Sequence, residues 1–288
     1  MPELIVTIAE AGLSLESFLQ QRLSAAPGAY LRKLLKDGKV CRSNDMDAIL
    51  TAGERILLPD SRRLVDLMEQ SNKISVAILY ESDHLLILDK PSGLATHAGQ
   101  GHEADNLTAR VADLLKRRGE HFIAAPIQRL DRETSGVVLF GKGKKSCSVL
   151  GNMMMRAPVG KTYLALVKGK MTTDATLTDE IRAKGKTKTA VTSYQVLAAN
   201  EIASLLQITL GTGRQHQIRR QFQQIGHPLF GDQRYGGSCP DNLSRLFLHC
   251  QQIAFIDPFT DIPLIITSPM PPELLVFLED TGVEVNVW

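Results

Sequence analysis

From Val76 onward the apolar residues of this chain come in short blocks, and block length constrains the fold more than any other feature of the sequence. Ile78-Leu79-Tyr80, Leu85 to Leu88, Val137 to Phe140, Thr162 to Val167, Val191 to Leu197 and Ser204 to Leu210 are too short for packed helices and read as strands. Glu81-Ser82-Asp83-His84 supplies the turn between the first two. Helical periodicity intervenes at Leu107 to Arg118 and Gln215 to Ile225. No internal repeat is present, and strands outnumber helices in mixed order. The expected class is therefore α+β, with a mixed, mainly antiparallel sheet in a domain covering 76–288.

The first sixty residues follow a different period. Leu15, Phe18, Leu19 and Leu23 recur at helical steps, Ala25-Ala26-Pro27-Gly28 breaks the pattern, and Leu31, Leu34 and Leu35 resume it, which predicts two short helices. Asp37-Gly38 stops the second, and Val40 with Ile49 to Leu58 predicts short strands around Ser43-Asn44-Asp45. This makes 1–60 a small α/β unit. Residues 61–75 are mostly polar and are predicted to be a linker with at most one short helix.

The 288 residues are 43% hydrophobic and 22% charged, a composition that suits one large globular domain or two smaller ones. Cys41, Cys147, Cys239 and Cys250 are scattered without a C-x-x-C pair, which predicts free thiols in a reducing compartment. No run of about 18 apolar residues appears, and MPELIVTIAEAG lacks the basic start and apolar core of a signal peptide. These features predict a cytoplasmic protein with no membrane association.

A net charge of +2 conceals an asymmetry: beyond Arg245 there are six acidic residues and no Lys or Arg, so 1–245 carry +8. Basic residues cluster as Arg32, Lys33, Lys36, Lys39 and Arg42, then Arg182, Lys184, Lys186 and Lys188, then Arg214, Arg219 and Arg220. Such clusters are either the footprint of a polyanion binder or solvated faces.

Three chemistries are excluded by motif. Gly136 to Lys142 has the spacing of a phosphate-binding loop, but Gly143 replaces the necessary Ser or Thr and V-V-L-F reads as a strand, so no nucleotide cofactor is expected. The histidines are dispersed without ligand spacing, so no metal is expected. Ser135 lies in T-S-G rather than in a nucleophile elbow. The informative segment is Q-R-L-D-R-E-T-S-G at 128–136, a charged loop that runs into the Val137 strand and displays Asp131 at a sheet edge. On this segment alone Asp131 is equally readable as a turn residue held by Arg129 or Arg132.

Four segments in order resemble the pseudouridine synthases of the RluA type: D-K-P-S-G-L-A-T-H at 89–97; R-L-D-R-E-T-S-G at 129–136; K-T-Y at 161–163; and L-G-T-G-R-Q-H-Q-I-R at 210–219 with G-H-P-L-F-G-D-Q-R-Y-G at 226–236 and R-L-F-L-H-C at 245–250. Departures from the family pattern stand at Gln128, Gln215 and Arg220-Gln221-Phe222. Ahead of them, S-L-E-S-F-L at 14–19, L-R-K-L-L-K-D-G-K-V at 31–40 and A-G-E-R-I at 52–56 resemble the small RNA-binding domain of the ribosomal-protein S-four type.

The resemblance implies an isomerase that converts uridine to pseudouridine within RNA, with large-subunit ribosomal RNA as the expected substrate and no cofactor. It implies Asp131 as the catalytic carboxylate, Arg214 as its ionic partner and Tyr163 as the aromatic against the uracil. Leu248 would close the uracil pocket, with Leu246 equally eligible by period. Lys90, Arg129, Arg132, Lys161 and Arg219 would contact RNA or fix loops, and Arg32, Lys33, Lys36, Lys39 and Arg42 would bind RNA in the first domain. The competing function is a non-catalytic RNA-binding or ribosome-assembly factor that retains the fold.

Overall fold

A computed structural model of the chain describes residues 2–6, 10–23, 26–42, 45–46, 48–74, 76–99, 105–156, 159–183 and 186–285, with backbone alone for 21, 69–74, 181–183 and 186. The chain separates into two units, 1–75 and 76–288.

The first unit runs β1 (Glu3–Ile5), α1 (Leu15–Arg22), α2 (Gly28–Lys36), β2 (Cys41–Arg42), β3 (Arg55–Leu57) and α3 (Arg62–Ile74). Ser14 caps α1 by accepting a hydrogen bond from the Ser17 N–H at 3.2 Å, and Pro27 occupies the cap position of α2. The stripe Leu15, Phe18, Leu19, Leu23, Leu31 and Leu34 is buried with Ile56 and Leu58, over a sheet of order β1-β3-β2. Each fully buried Leu or Phe contributes roughly 1.5–3 kcal/mol, so this stripe holds the unit together. Ser43 and Asn44 of the expected turn lie outside the described residues.

Residues 62–74 form one helix of the first unit rather than the expected linker. Ser61 caps α3 through the Leu64 N–H (3.2 Å), Leu64 is fully buried in the same core, Met68 packs one turn later, and Arg63 lies over the Tyr30 ring at 4.6 Å. A contact stripe of two residues four apart suffices because α1 and α2 already provide the groove.

The second unit contains β4 (Ala77–Glu81), β5 (Leu85–Lys90), α4 (Leu107–Arg117), β6 (Ala124–Pro126), β7 (Ser135–Lys142), α5 (Gly143–Arg156), β8 (Gly160–Lys168), β9 (Ala175–Ala183), β10 (Lys186–Ala199), β11 (Ala203–Leu210), α6 (Gln217–Gln224), β12 (Leu248–Ile256), β13 (Pro263–Thr267) and α7 (Pro272–Asp280). The sheet order is β4-β5-β7-β12-β8-β11-β10-β9, with β6 paired to β7 and β13 to β12. Its described pairings are antiparallel except β7 with β12 at the centre. The sheet is thus mixed and mainly antiparallel, as the block pattern predicts.

Central strands are buried on both faces. On β8, Tyr163, Ala165 and Val167 join one core with Ile208, Phe222 and Leu248, while Leu164 and Leu166 join a second with Phe230, Phe247 and Phe277 of α7. This explains a continuous apolar run instead of alternation. Val137 to Phe140 are fully buried in β7, so the apparent phosphate-binding loop is a strand. Gly136 adopts φ +112°, and a Cβ there would strike the Cys250 carbonyl; glycine lets the two parallel strands close. No described helix is long and apolar enough to cross a membrane.

Candidate active site

Three neighbouring strands deliver the central residues: Asp131 lies on the loop entering β7, Leu248 begins β12, and Tyr163 is on β8. The Asp131 loop is held by side chains of the 90–96 segment. Thr96 donates to the Leu130 carbonyl (2.8 Å), Ser92 to the Glu133 carbonyl (2.7 Å) and Lys90 to the Arg132 carbonyl (3.2 Å). The Thr134 N–H bonds the Asp131 carbonyl at 3.1 Å and closes the turn. Gln128 adds a two-way lock, donating to the Val137 carbonyl (3.0 Å) and accepting from the Leu139 N–H (2.9 Å). An exposed charged loop is thereby given the fixed backbone partners of a strand.

Lys90 is fully buried and also donates to the carbonyls of Pro91 (2.9 Å) and Leu94 (2.7 Å), so it fixes the loop and has no surface left for RNA. Burial, then the charge of Arg245, pushes its ammonium down to about 7, against the pull of Asp131 and Asp89.

Arg214 is not the ionic partner of Asp131. Its Nε donates to the Thr189 carbonyl at 3.2 Å, whereas Arg219 stands 3.9 Å from Asp131 Oδ2. Arg219 is buried and binds Asp232 through two 2.7 Å hydrogen bonds, with Glu133 at 3.2 Å and the Tyr235 ring at 5.2 Å. It therefore cannot be a free RNA contact. Burial lowers its affinity for the proton, yet Asp232, Glu133 and Asp131 together raise it above the ordinary arginine value.

His216 is the residue that motif reading missed. Its backbone is left-handed (φ 53°) at the start of α6, and its ring lies 3.8 Å from Asp131 Oδ1 and 3.1 Å from the Tyr235 hydroxyl. Burial, followed by the opposing pull of Asp131 and the repulsion of Arg219, Arg234 and Arg220, leaves its pKa below the ordinary value. The available signal was its place inside Q-H-Q-I-R, between the two arginines.

Asp131, Tyr163, Leu248, Lys161, Arg129, Arg214 and Arg219 all line one cavity of about 420 Å3, which Leu246 does not reach. Burial, then the neighbouring Cys250 and Asp131, raises Tyr163 well above the ordinary phenol, so it is a neutral hydroxyl at physiological pH. A second cavity of about 460 Å3 shares Arg129, Asp131, His216 and Arg219 and adds His97, Arg132 and Arg234. Arg132 is exposed, with Nε on the Gly93 carbonyl at 3.0 Å, and Arg129 is exposed.

Ser135 and His249 do meet, at 2.9 Å, but both are buried: Arg245 bonds the hydroxyl at 2.6 Å and the Ser268 carbonyl takes the other ring nitrogen at 3.1 Å. This pair holds β7 to β12 and faces no substrate.

In the first unit Arg32, Lys33, Lys36 and Lys39 are exposed, with Arg32 3.6 Å from Glu16 and Lys39 3.5 Å from Asp37. Arg42 is different. Its side chain is buried, bonded to both oxygens of Glu54 (2.6 and 3.0 Å) and to the Ala48 carbonyl (2.8 Å), so it is a structural residue. Lys184 lies outside the described residues.

A carboxylate, a guanidinium, a phenol face and an apolar wall around one nucleotide-sized cavity match the four-segment pattern, and comparison with known proteins agrees. The profile of the RNA pseudouridylate synthase family matches residues 84–224. The ribosomal large subunit pseudouridine synthase C of Salmonella typhi is 32% identical, over 96% of this chain and 95% of its own. The uncharacterized RNA pseudouridine synthase YhcT of Bacillus subtilis is 33% identical, over 68% of this chain and 69% of its own. Human RNA pseudouridylate synthase domain containing 4 shares the fold, with a TM-score of 0.61 and 22% identity over 73% of this chain and 94% of that one. The chain thus belongs to the RNA pseudouridylate synthase family, isomerases that convert uridine to pseudouridine in RNA.

Proposed function

We propose that this enzyme isomerises uridines of large-subunit ribosomal RNA, with Asp131 as the group that acts at the ribose carbon. The observation that carries the reading is the position of Asp131: on a loop locked by Thr96, Ser92, Lys90 and Gln128, beside Arg219, and in one cavity with Tyr163 and Leu248. The ribosomal substrate is supported by similarity to a large-subunit enzyme over almost the whole of both chains.

The target base must leave the RNA stack, at a cost of a few kcal/mol, and enter the cavity. The Tyr163 face and Leu248 hold the uracil without bonding its edges, which leaves it free to turn once detached. Asp131 attacks the ribose carbon or faces the positive charge that develops there, and in either role the loop lock contributes by fixing the carboxylate before substrate arrives. Arg219, itself fixed by Asp232, supplies the adjacent positive charge. Arg129, Arg132 and Arg214, at the cavity borders, contact phosphate and position the RNA without choosing the uridine. Arg32, Lys33, Lys36 and Lys39 add affinity through the first unit, acting as an RNA-binding domain.

Mapping pseudouridine in ribosomal RNA from cells with and without the gene tests the reading. Sites lost in large-subunit RNA and restored by the wild-type gene support it; an unchanged map in that RNA removes it.

A further inference from the structure

Lys161 and Tyr163 are two residues apart on β8 and project from one face, as Leu248 and Cys250 do on the neighbouring β12. Lys161, Tyr163 and Leu248 line the cavity that holds Asp131, with Cys250 buried behind Tyr163. The Lys161 ammonium nitrogen lies 3.8 Å from where a Cβ on Gly213 would stand, under the loop joining β11 to α6. Other mainly buried cations of this unit have partners: Lys90 has three carbonyls, Arg219 has Asp232, and Arg245 has Glu273. Among the described residues Lys161 has no carboxylate within ion-pair distance and no hydrogen-bond acceptor, and burial draws its pKa below the ordinary lysine value.

We propose that Lys161 is a catalytic residue that stabilises the negative charge uracil acquires as its bond to ribose breaks. The inference rests on the reading above and assigns one side chain a task in it. When the C1′–N1 bond breaks, its electron pair leaves with N1, and the charge spreads over N1, O2 and O4. The same anion supplies the pair for the new C1′–C5 bond; the proton lost from C5 passes to solvent and N1 takes one up, so Lys161 gives up no proton. An unpaired ammonium in the same cavity wall as Tyr163 meets the base, whereas phosphates of the target strand remain at the mouth with the exposed Arg129 and Arg132. A charge held ready in the cavity wall stabilises the departing anion more than the neutral base, which is the condition for catalysis.

The test uses the full-length enzyme, a large-subunit ribosomal RNA transcript with uridine or 5-fluorouridine at the mapped site, and single-turnover rates of N-glycosidic loss at saturating RNA. Fluorine withdraws electrons and makes the uracil anion a better leaving group, so it needs less help. Lys161→Met is expected to slow the uridine RNA by roughly 100-fold or more with affinity within about threefold, a loss on the scale of removing one anion-stabilising donor. The loss should shrink at least about fivefold on 5-fluorouridine RNA, and Lys161→Arg should restore most of the rate, because charge is what is required. Equal losses on both RNAs, or weaker binding with an unchanged saturating rate as for a phosphate contact, would overturn the proposal. Lys161→Gln serves where the Met variant does not melt within about 3 °C of wild type. A wild-type enzyme that leaves both RNAs unmodified would instead remove the functional reading itself.

Discussion

Arg219 is bound on one side by Asp232 at 2.7 Å and stands on the other 3.9 Å from Asp131, so one buried guanidinium joins the fold of the 226–236 loop to the carboxylate of the site. Arg219→Met should therefore lose both stability and turnover. Removing one partner of a buried pair typically costs about 3–5 kcal/mol, here by leaving Asp232 without its counter-ion. Arg214→Met, which gives up a single bond to the Thr189 carbonyl, should stay within about 0.5 kcal/mol of wild type and weaken RNA binding severalfold. Urea unfolding with RNA titration separates the two; equal destabilisation by both would contradict this assignment.

Asp131→Asn keeps the shape of the side chain and removes its anionic oxygen. Pseudouridine formation should fall to background while RNA affinity stays within severalfold, since the Asp131 backbone and the Thr96, Ser92 and Lys90 locks are untouched. Turnover near wild type in a single-turnover assay would take Asp131 out of the chemistry and leave a binding protein.

His249 predicts an acid window. Its Nε2 faces the Ser268 carbonyl and its Nδ1 the Ser135 hydroxyl, and burial, with Arg245 nearby, pushes the imidazole down to about 4 from an unfolded value near 6.5. Above pH 6.5 both states are neutral and the contribution is whole. Between 6.5 and 4 the unfolded chain binds a proton that the native state refuses, so stability falls as pH falls; below 4 the loss is complete. From pH 7.5 to 5.0, wild type should lose about 2 kcal/mol more unfolding free energy than His249→Gln. Parallel urea curves for both proteins at the two pH values would show that His249 is protonated when folded.

Strand blocks and the site motifs were legible in the sequence because each depends on neighbours in the chain. Val137 to Phe140 and Thr162 to Val167 are strands where their apolar runs predict them, and Asp131, Tyr163 and Leu248 share one cavity. What could not be read depends on partners elsewhere. Arg214 and Arg219 lie in one ten-residue motif, and the left-handed His216 between them sets the direction in which α6 starts, hence which arginine reaches Asp131. Arg42 looks like part of a basic strip until Glu54, twelve residues on, is seen to hold it. Helix α3 was hidden because two apolar contacts, Leu64 and Met68, are enough only against a groove built by α1 and α2.

The division of the basic strip gives the last prediction. Arg32, Lys33 and Lys36 are exposed on α2, and Arg32 lies 3.6 Å from the half-buried Glu16, a solvent-facing pair worth little in salt solution. Replacing the three together by Gln in the full-length protein should leave stability nearly unchanged and reduce the slope of log affinity against log salt by about 2–3 units, one contribution per phosphate released. The saturating rate should not move, since these side chains bind substrate and transition state alike. Arg42→Gln should behave in the opposite way: Glu54 is left buried without its bidentate partner, at a cost of about 3 kcal/mol, while the salt slope stays as it was. RNA titrations from 50 to 300 mM salt beside urea unfolding decide the matter. A slope unchanged by the triple substitution would make the α2 strip a solvated face, and a slope changed by Arg42→Gln would place that arginine on the RNA.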